Sequence, residues 1–217
     1  PVRQSPVVPH TFRNDLFRCI VQGKDNTLWM AGWAGGLTSY NTRTHEWKNF
    51  KYNHQRSAPE TRNIIVDIEW KNDNELWIAS HDRGIGIFDT RQSEFRFLES
   101  SSLLRENLPL INCYNVLVDK EKNTWVAHER GLSHISIGSN IFPFTSLPVK
   151  HSDNALFFGV TAVIEDTLRH KLIFGTEYAD GLNILDKKTG ALKNIRFETA
   201  KGEEKLLLVN DVLRDSK

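Results

Sequence analysis

The residues best suited to chemistry are Trp33; His81, Asp82 and Arg83; Glu129 and Arg130; and Glu177, Tyr178 and Asp180. They sit in short segments between apolar runs. Trp33 and Tyr178 offer flat rings that can stack on a sugar face. Arg83, Arg130 and the acids can bond hydroxyls or a uronic carboxylate. Glu129, Glu177 and Asp180 are the acids on which a hydrolytic pair would draw, since such a pair needs two carboxylates on one pocket. For any one of these residues, a solvated hairpin tip is the plainer reading. As a set they differ from copy to copy while the segments around them repeat.

Other chemistries lack their signatures. The eight histidines are scattered, and neither His-x-x-x-His nor a cysteine pair gives metal-ligand spacing, so no metal and no cofactor are expected. No Gly-x-Ser-x-Gly marks a serine hydrolase. Asp25 precedes Trp29 by four positions, one short of the Asp-box spacing of sialidase-like chains. Asp186-Lys187-Lys188-Thr189-Gly190 is similar to a turn in quinoprotein propellers, but occurs once.

The elements that must position these residues repeat. Leu28-Trp29-Met30-Ala31-Gly32 returns as Leu76-Trp77-Ile78-Ala79-Ser80, as Thr124-Trp125-Val126-Ala127-His128 and, more weakly, as Leu172-Ile173-Phe174-Gly175-Thr176. Trp29, Trp77, Trp125 and Ile173 are spaced 48 residues apart. Each copy is followed by a glycine-bearing turn and a second apolar run. A fixed period of this size means stacked units. Each unit reads as four short strands joined by tight turns, an antiparallel meander. Four-stranded units in series are propeller blades.

The expected fold is therefore all-β, a β-propeller of four-stranded antiparallel blades. The boundaries are a lead-in over 1–15, blades over 16–52, 62–99, 112–146 and 158–198, and the opening of a fifth over 206–217. The repeated tryptophans and Ile173 are expected as wedges between blades. The array reads as continuous and incomplete, so its terminal faces would be covered by further blades of a parent chain or by a second protomer. In such a blade, the turn between strands two and three shares a face with the connection to the next blade. That face gathers Trp33, His81, Arg83, Glu129, Arg130, Tyr178 and Asp180, the natural place for a ligand.

The chain has 217 residues and a formal net charge of +1. That balance supports neither a nucleic-acid nor a membrane-surface partner. No apolar run approaches the ~20 residues of a membrane helix. No signal peptide is visible at Pro1, which fits a mature, excised or cytosolic chain. Cys19 and Cys113 read as buried free thiols.

Residues 26–44, with Leu28-Trp29-Met30-Ala31-Gly32 and Gly36-Leu37-Thr38-Ser39-Tyr40-Asn41, resemble the two-component regulator propeller repeat. So do residues 75–90, with Glu75-Leu76-Trp77-Ile78-Ala79-Ser80 and Gly84-Ile85-Gly86-Ile87-Phe88-Asp89-Thr90. The run Val116 to Trp125 fits the approach to a copy. Blade three keeps one glycine, Gly131; blade four lacks the Trp; His128 and Ser80 stand where Gly or Thr is usual. The resemblance implies the periplasmic sensor region of a bacterial hybrid two-component histidine kinase, with an oligosaccharide as ligand. No ATP-binding glycine motif or phospho-acceptor segment stands in the 217 residues. The chain is then expected to be non-enzymatic in itself. Two other readings remain open at this point: a propeller lyase or glycosidase, and a protein-binding scaffold.

Overall fold

The computed structural model describes residues 17–33, 35–52, 63–98, 112–129, 131–135, 159–176, 181–195, 209 and 211–212. The chain falls into two compact units, Pro1–Phe97 and Leu98–Lys217.

The first unit holds two four-stranded sheets. Blade one is β1 (Phe17–Gln22), β2 (Thr27–Gly32), β3 (Gly36–Asn41) and β4 (Trp47–Phe50). Blade two is β5 (Ile65–Trp70), β6 (Glu75–Ser80), β7 (Gly84–Asp89) and β8 (Glu94–Phe97). In both, neighbours in sequence are neighbours in the sheet, and every pairing is antiparallel. The middle strands are the most buried, as their unbroken apolar runs require.

Alternation along the strands separates two faces. Trp29, Ala31 and Leu37 of blade one pack against Ile68, Leu76, Ile78 and Phe88 of blade two in one core. The Trp29 ring meets Phe88 edge-on with centroids 5.5 Å apart, and Phe50 lies 5.7 Å from Trp29. Trp29 is thus the wedge that the spacing predicts. Trp77 is buried on the opposite face of blade two from Leu76 and Ile78. The ammonium of Lys71 stands 5.8 Å from its ring.

The second unit repeats the plan. Blade three has β9 (Cys113–Val118), β10 (Thr124–His128) and β11 (Gly131–Ile135). Its expected fourth strand, over 142–145, lies outside the described residues. Blade four is β12 (Val160–Asp166), β13 (Lys171–Thr176), β14 (Leu182–Asp186) and β15 (Leu192–Ile195). Trp125, Ala127 and Leu132 pack on Val163, Leu172, Phe174 and Leu185. Trp125 is therefore a second wedge. Ile173 points to the far face of blade four, where it is half-buried. On that same face Val209 packs on Gly175, and its carbonyl accepts the Thr161 hydroxyl. Most of the expected opening of blade five, 206–217, and the lead-in, 1–15, lie outside the described residues.

Every first strand carries a bulge near its start. Arg18, Val66, Tyr114 and Thr161 are each the extra residue opposite the second strand. A bulge re-aims a side chain at the end of a sheet. Among the described residues no helix is long and apolar enough to cross a membrane.

Candidate functional site

The turns between second and third strands bring some of the expected residues together. Trp33 follows β2, and His81 follows β6. Their rings lie side by side, with centroids 5.5 Å apart and planes at 46°. The bulge residue Arg18 holds its guanidinium 5.9 Å from the Trp33 ring. Both rings are half-buried. This is a small aromatic patch with a cation at its edge, built from two blades.

The other expected residues are used differently. Arg83 places its guanidinium 4.9 Å from the Phe97 ring of β8. Asp82 accepts hydrogen bonds from the Ser80 hydroxyl, at 2.6 Å, and from the Tyr52 phenol. That bond to Asp82, behind burial in importance, holds the Tyr52 phenol far above its ordinary range. Glu129 lies in the second unit and accepts the Asn112 amide at 2.6 Å. Arg130, Glu177, Tyr178 and Asp180 lie outside the described residues. Cys113 is a buried free thiol, as expected, whereas Cys19, also free, is half-buried. Burial pushes the Cys113 thiol up to about 12, so it keeps its proton at neutral pH.

A second site lies away from the turns expected to hold a ligand. In the second unit a cleft of about 530 Å³ opens at the other end of the blades, among the first and third turns. Asp119, Glu121, Trp125, His134, His170 and Lys187 line it. Strand alternation dictates the opposite end: the first and third turns of a meander share one face, the second turn the other. Bonds between these turns recur. The Thr42 amide donates to the Asn26 carbonyl at 2.8 Å, Thr90 to Asn74 at 2.9 Å, and Lys187 to His170 at 3.0 Å.

Lys187 thus occupies in blade four the place of Thr42 and Thr90. Its ammonium reaches three carboxylates, Asp119 at 3.1 Å together with Glu121 and Glu165. The Asp119 side chain is fully buried and that of Lys187 is 10% exposed. Asp119 also accepts the Trp125 indole N–H at 2.9 Å and the Asn123 amide at 2.8 Å. Burial works to raise the Asp119 carboxyl, but bonds from Trp125, Asn123 and Lys187 overcome it and hold the group below its usual range. The Lys187 bond holds Glu121 low as well. Burial works against the charge of Lys187, yet its three partners raise it far above the ordinary lysine value.

Oxygens of Asp119, Glu121 and Glu165 lie within 4.8 Å of one another, a spacing that a metal ion can use. Here the lysine ammonium supplies the positive charge instead. Neither Asp119 nor Glu121 is held protonated, so neither is tuned as a general acid. His134 stacks on Trp125 with centroids 4.4 Å apart, and burial lowers its basicity. The signal that could have found this cluster is one departure from the repeat, lysine for threonine at position 187.

Similarity to known proteins follows the same lines. No protein-family model matches the chain, and no curated protein matches it. Solved structures do. The extracellular domain of the putative hybrid two component system BT4673 from B. thetaiotaomicron matches with a TM-score of 0.65 over 92% of this chain, at 17% identity. That of BT3049 from the same organism matches with 0.62 over 88%, at 18% identity. The beta-propeller domain of Cps50 (Swd1) from Myceliophteria thermophila matches with 0.55 over 88% of this chain and 60% of its own length, at 15% identity. The fold is that of a β-propeller. At these identities the likeness carries the fold. The chain spans 28% of the BT4673 domain and 26% of the BT3049 domain.

Proposed function

We propose that these blades belong to the extracytoplasmic, ligand-sensing part of a two-component sensor, periplasmic in location, whose signal passes to a histidine kinase outside this chain. The observation that supports this is the match of the blades to the extracellular domains of two hybrid two-component systems over most of this chain's length. On this reading the blades bind and transmit, and do no chemistry of their own. The carboxylates that converge among the described residues are drawn onto one lysine, which suits a scaffold better than a catalytic pair.

The ligand proposed is an oligosaccharide, held on the face of the second turns. Trp33 and His81 supply adjoining rings and Arg18 a cation beside them. Stacking on rings with a charged group at the rim suits a hydroxyl-rich ligand with flat apolar faces.

The test is a kinase-reporter strain carrying the complete native sensor, exposed to a panel of defined oligosaccharides, with calorimetry on its extracytoplasmic region. Activation by one glycan, lost in Trp33→Ala, supports the reading. Activation by a small molecule that is not a sugar would keep the sensor and discard the oligosaccharide.

A further inference from the structure

Blade two has a hydroxyl at Ser80 where blade one, 48 residues earlier, has Gly32. Ser80 is fully buried, and its oxygen is the hub of the second turn of blade two. The hydroxyl donates to the Asp82 carboxylate at 2.6 Å, and the oxygen accepts the Asp82 and Arg83 amides at 3.3 and 3.2 Å. The His81 amide donates to the Ile64 carbonyl at 3.1 Å. One more partner comes from blade one. Tyr52, just past the last strand of that blade, donates its phenol to the same carboxylate and stands 3.1 Å from the Ser80 hydroxyl. Its buried ring meets Phe95 and Phe97 edge-on, with centroids 5.5 and 4.8 Å away. The Arg83 guanidinium lies on that same Phe97. The turn that carries His81 is thus held by its amides, its carboxylate and its guanidinium.

The turn that carries Trp33 is tied to the same residue. The Gly36 amide, at the close of that turn, donates to the Asn63 carbonyl at 2.9 Å. The Asn63 side-chain oxygen accepts the Tyr52 amide at 2.9 Å. Tyr52 therefore connects with both members of the ring pair. Its backbone leads through Asn63 to the turn of Trp33, and its phenol leads through Asp82 to the turn of His81.

We propose that Tyr52 is a positioning residue for the Trp33–His81 patch, holding the turns of two blades so that the rings stand side by side before a ligand arrives. A platform ordered in advance spares the ligand the cost of fixing it. The value of the patch to a ligand rests on the function proposed above; the positioning itself does not.

The experiment is carbethoxylation of histidines in the complete native protein, without ligand, with the rate at His81 read by mass spectrometry. Tyr52→Phe keeps the buried ring and loses only the phenol oxygen. It is expected to speed modification of His81 by about threefold or more, by local opening of the turn, while amide hydrogen exchange over β2 and β6 keeps its rate. Asp82→Ala cuts the same link from the other side and should have the same effect. The double variant should go no further than either single change, because one link is broken in all three. An unchanged rate at His81, a rise accompanied by faster exchange in β2 and β6, or effects that multiply in the double variant overturns the proposal. A glycan panel without a hit would discard the ligand and leave these rates as they are.

Discussion

Asp119 accepts the indole N–H of Trp125 at 2.9 Å while its other contacts include the ammonium of Lys187, from the next blade, at 3.1 Å. One buried carboxylate therefore ties the wedge of blade three to a turn of blade four. The wedge is fixed by packing on one side and by charge on the other.

Removing the cation should be costly. Lys187→Ala leaves Asp119 and Glu165 facing each other in a buried place, with Glu121 nearby. Breaking a buried ion pair from one side costs about 3–5 kcal/mol. The same change in Lys188, which is exposed, should cost almost nothing. Urea unfolding of the two variants measures the contrast. Equal midpoints would show that the cluster carries no net stability.

The cluster also sets a pH window. The folded chain holds the Asp119 and Glu121 carboxyls below their usual values, so the unfolded chain binds more protons on acidification. Their stabilisation is present above the ordinary carboxylate range and is lost as pH falls through the lowered folded values. Lys187 runs the other way, because its folded value is raised. Its contribution is complete below the ordinary lysine value of 10.5 and is lost as pH rises through the higher folded one. The thermal midpoint should begin to fall on acidification below the ordinary imidazole value of 6.5, where His134 charges more readily in the unfolded chain, and fall further along a carboxylate limb that is weaker in Asp119→Asn. A scan by circular dichroism checks this, and an unchanged acid limb in the variant would contradict it.

Trp29 and Phe88 should be energetically coupled. Each single truncation to alanine removes a buried ring and should cost about 3–5 kcal/mol. The double variant should cost less than the two together by about 0.5–1.5 kcal/mol, as expected for an edge-to-face pair. A double-mutant cycle by denaturant unfolding measures it. Strict additivity would mean that the rings, although 5.5 Å apart, do not support one another.

Gly36 should not tolerate a side chain. Its φ is +71°, and a Cβ there would run into the carbonyl of Phe50. Gly36→Ala should cost about 1–3 kcal/mol. Gly35, where a Cβ would meet open space, is the control. Thermal unfolding of the pair decides the matter, and equal midpoints would refute the steric account.

If the proposed oligosaccharide reading holds, Trp33→Ala should weaken binding of the activating glycan by about tenfold or more, as loss of an aromatic anchor commonly does. Arg83→Ala should affect stability more than binding, because its guanidinium lies on Phe97. Calorimetry and melting on both variants separate the roles.

The interval of Trp29, Trp77 and Trp125 carried most of the fold into view from residues alone. A wedge must recur at each interface, and alternation then assigns every neighbour a face. That Trp33 and His81 would share one end of the blades was legible for a similar reason, since the second turns vary on a constant frame. The Lys187 cluster was not. Asp119, Glu165 and Lys187 lie far apart in sequence and meet only because strand pairing brings the turns of two blades together. Asp119 and Lys187 alone read as solvated turn residues, and Glu165 as the end of a strand. Tyr52 was hidden likewise, beyond the last strand of its blade but bonded to Asp82 of the next.

First strands of successive blades touch at one constant offset. The Trp70 indole donates to the Gln22 carbonyl, the Val163 amide to Asn115, and the Thr161 hydroxyl to Val209, each across 48 residues. The contacts keep the period but differ in chemistry from joint to joint, so a blade moved elsewhere in the array would meet a neighbour shaped for a different partner.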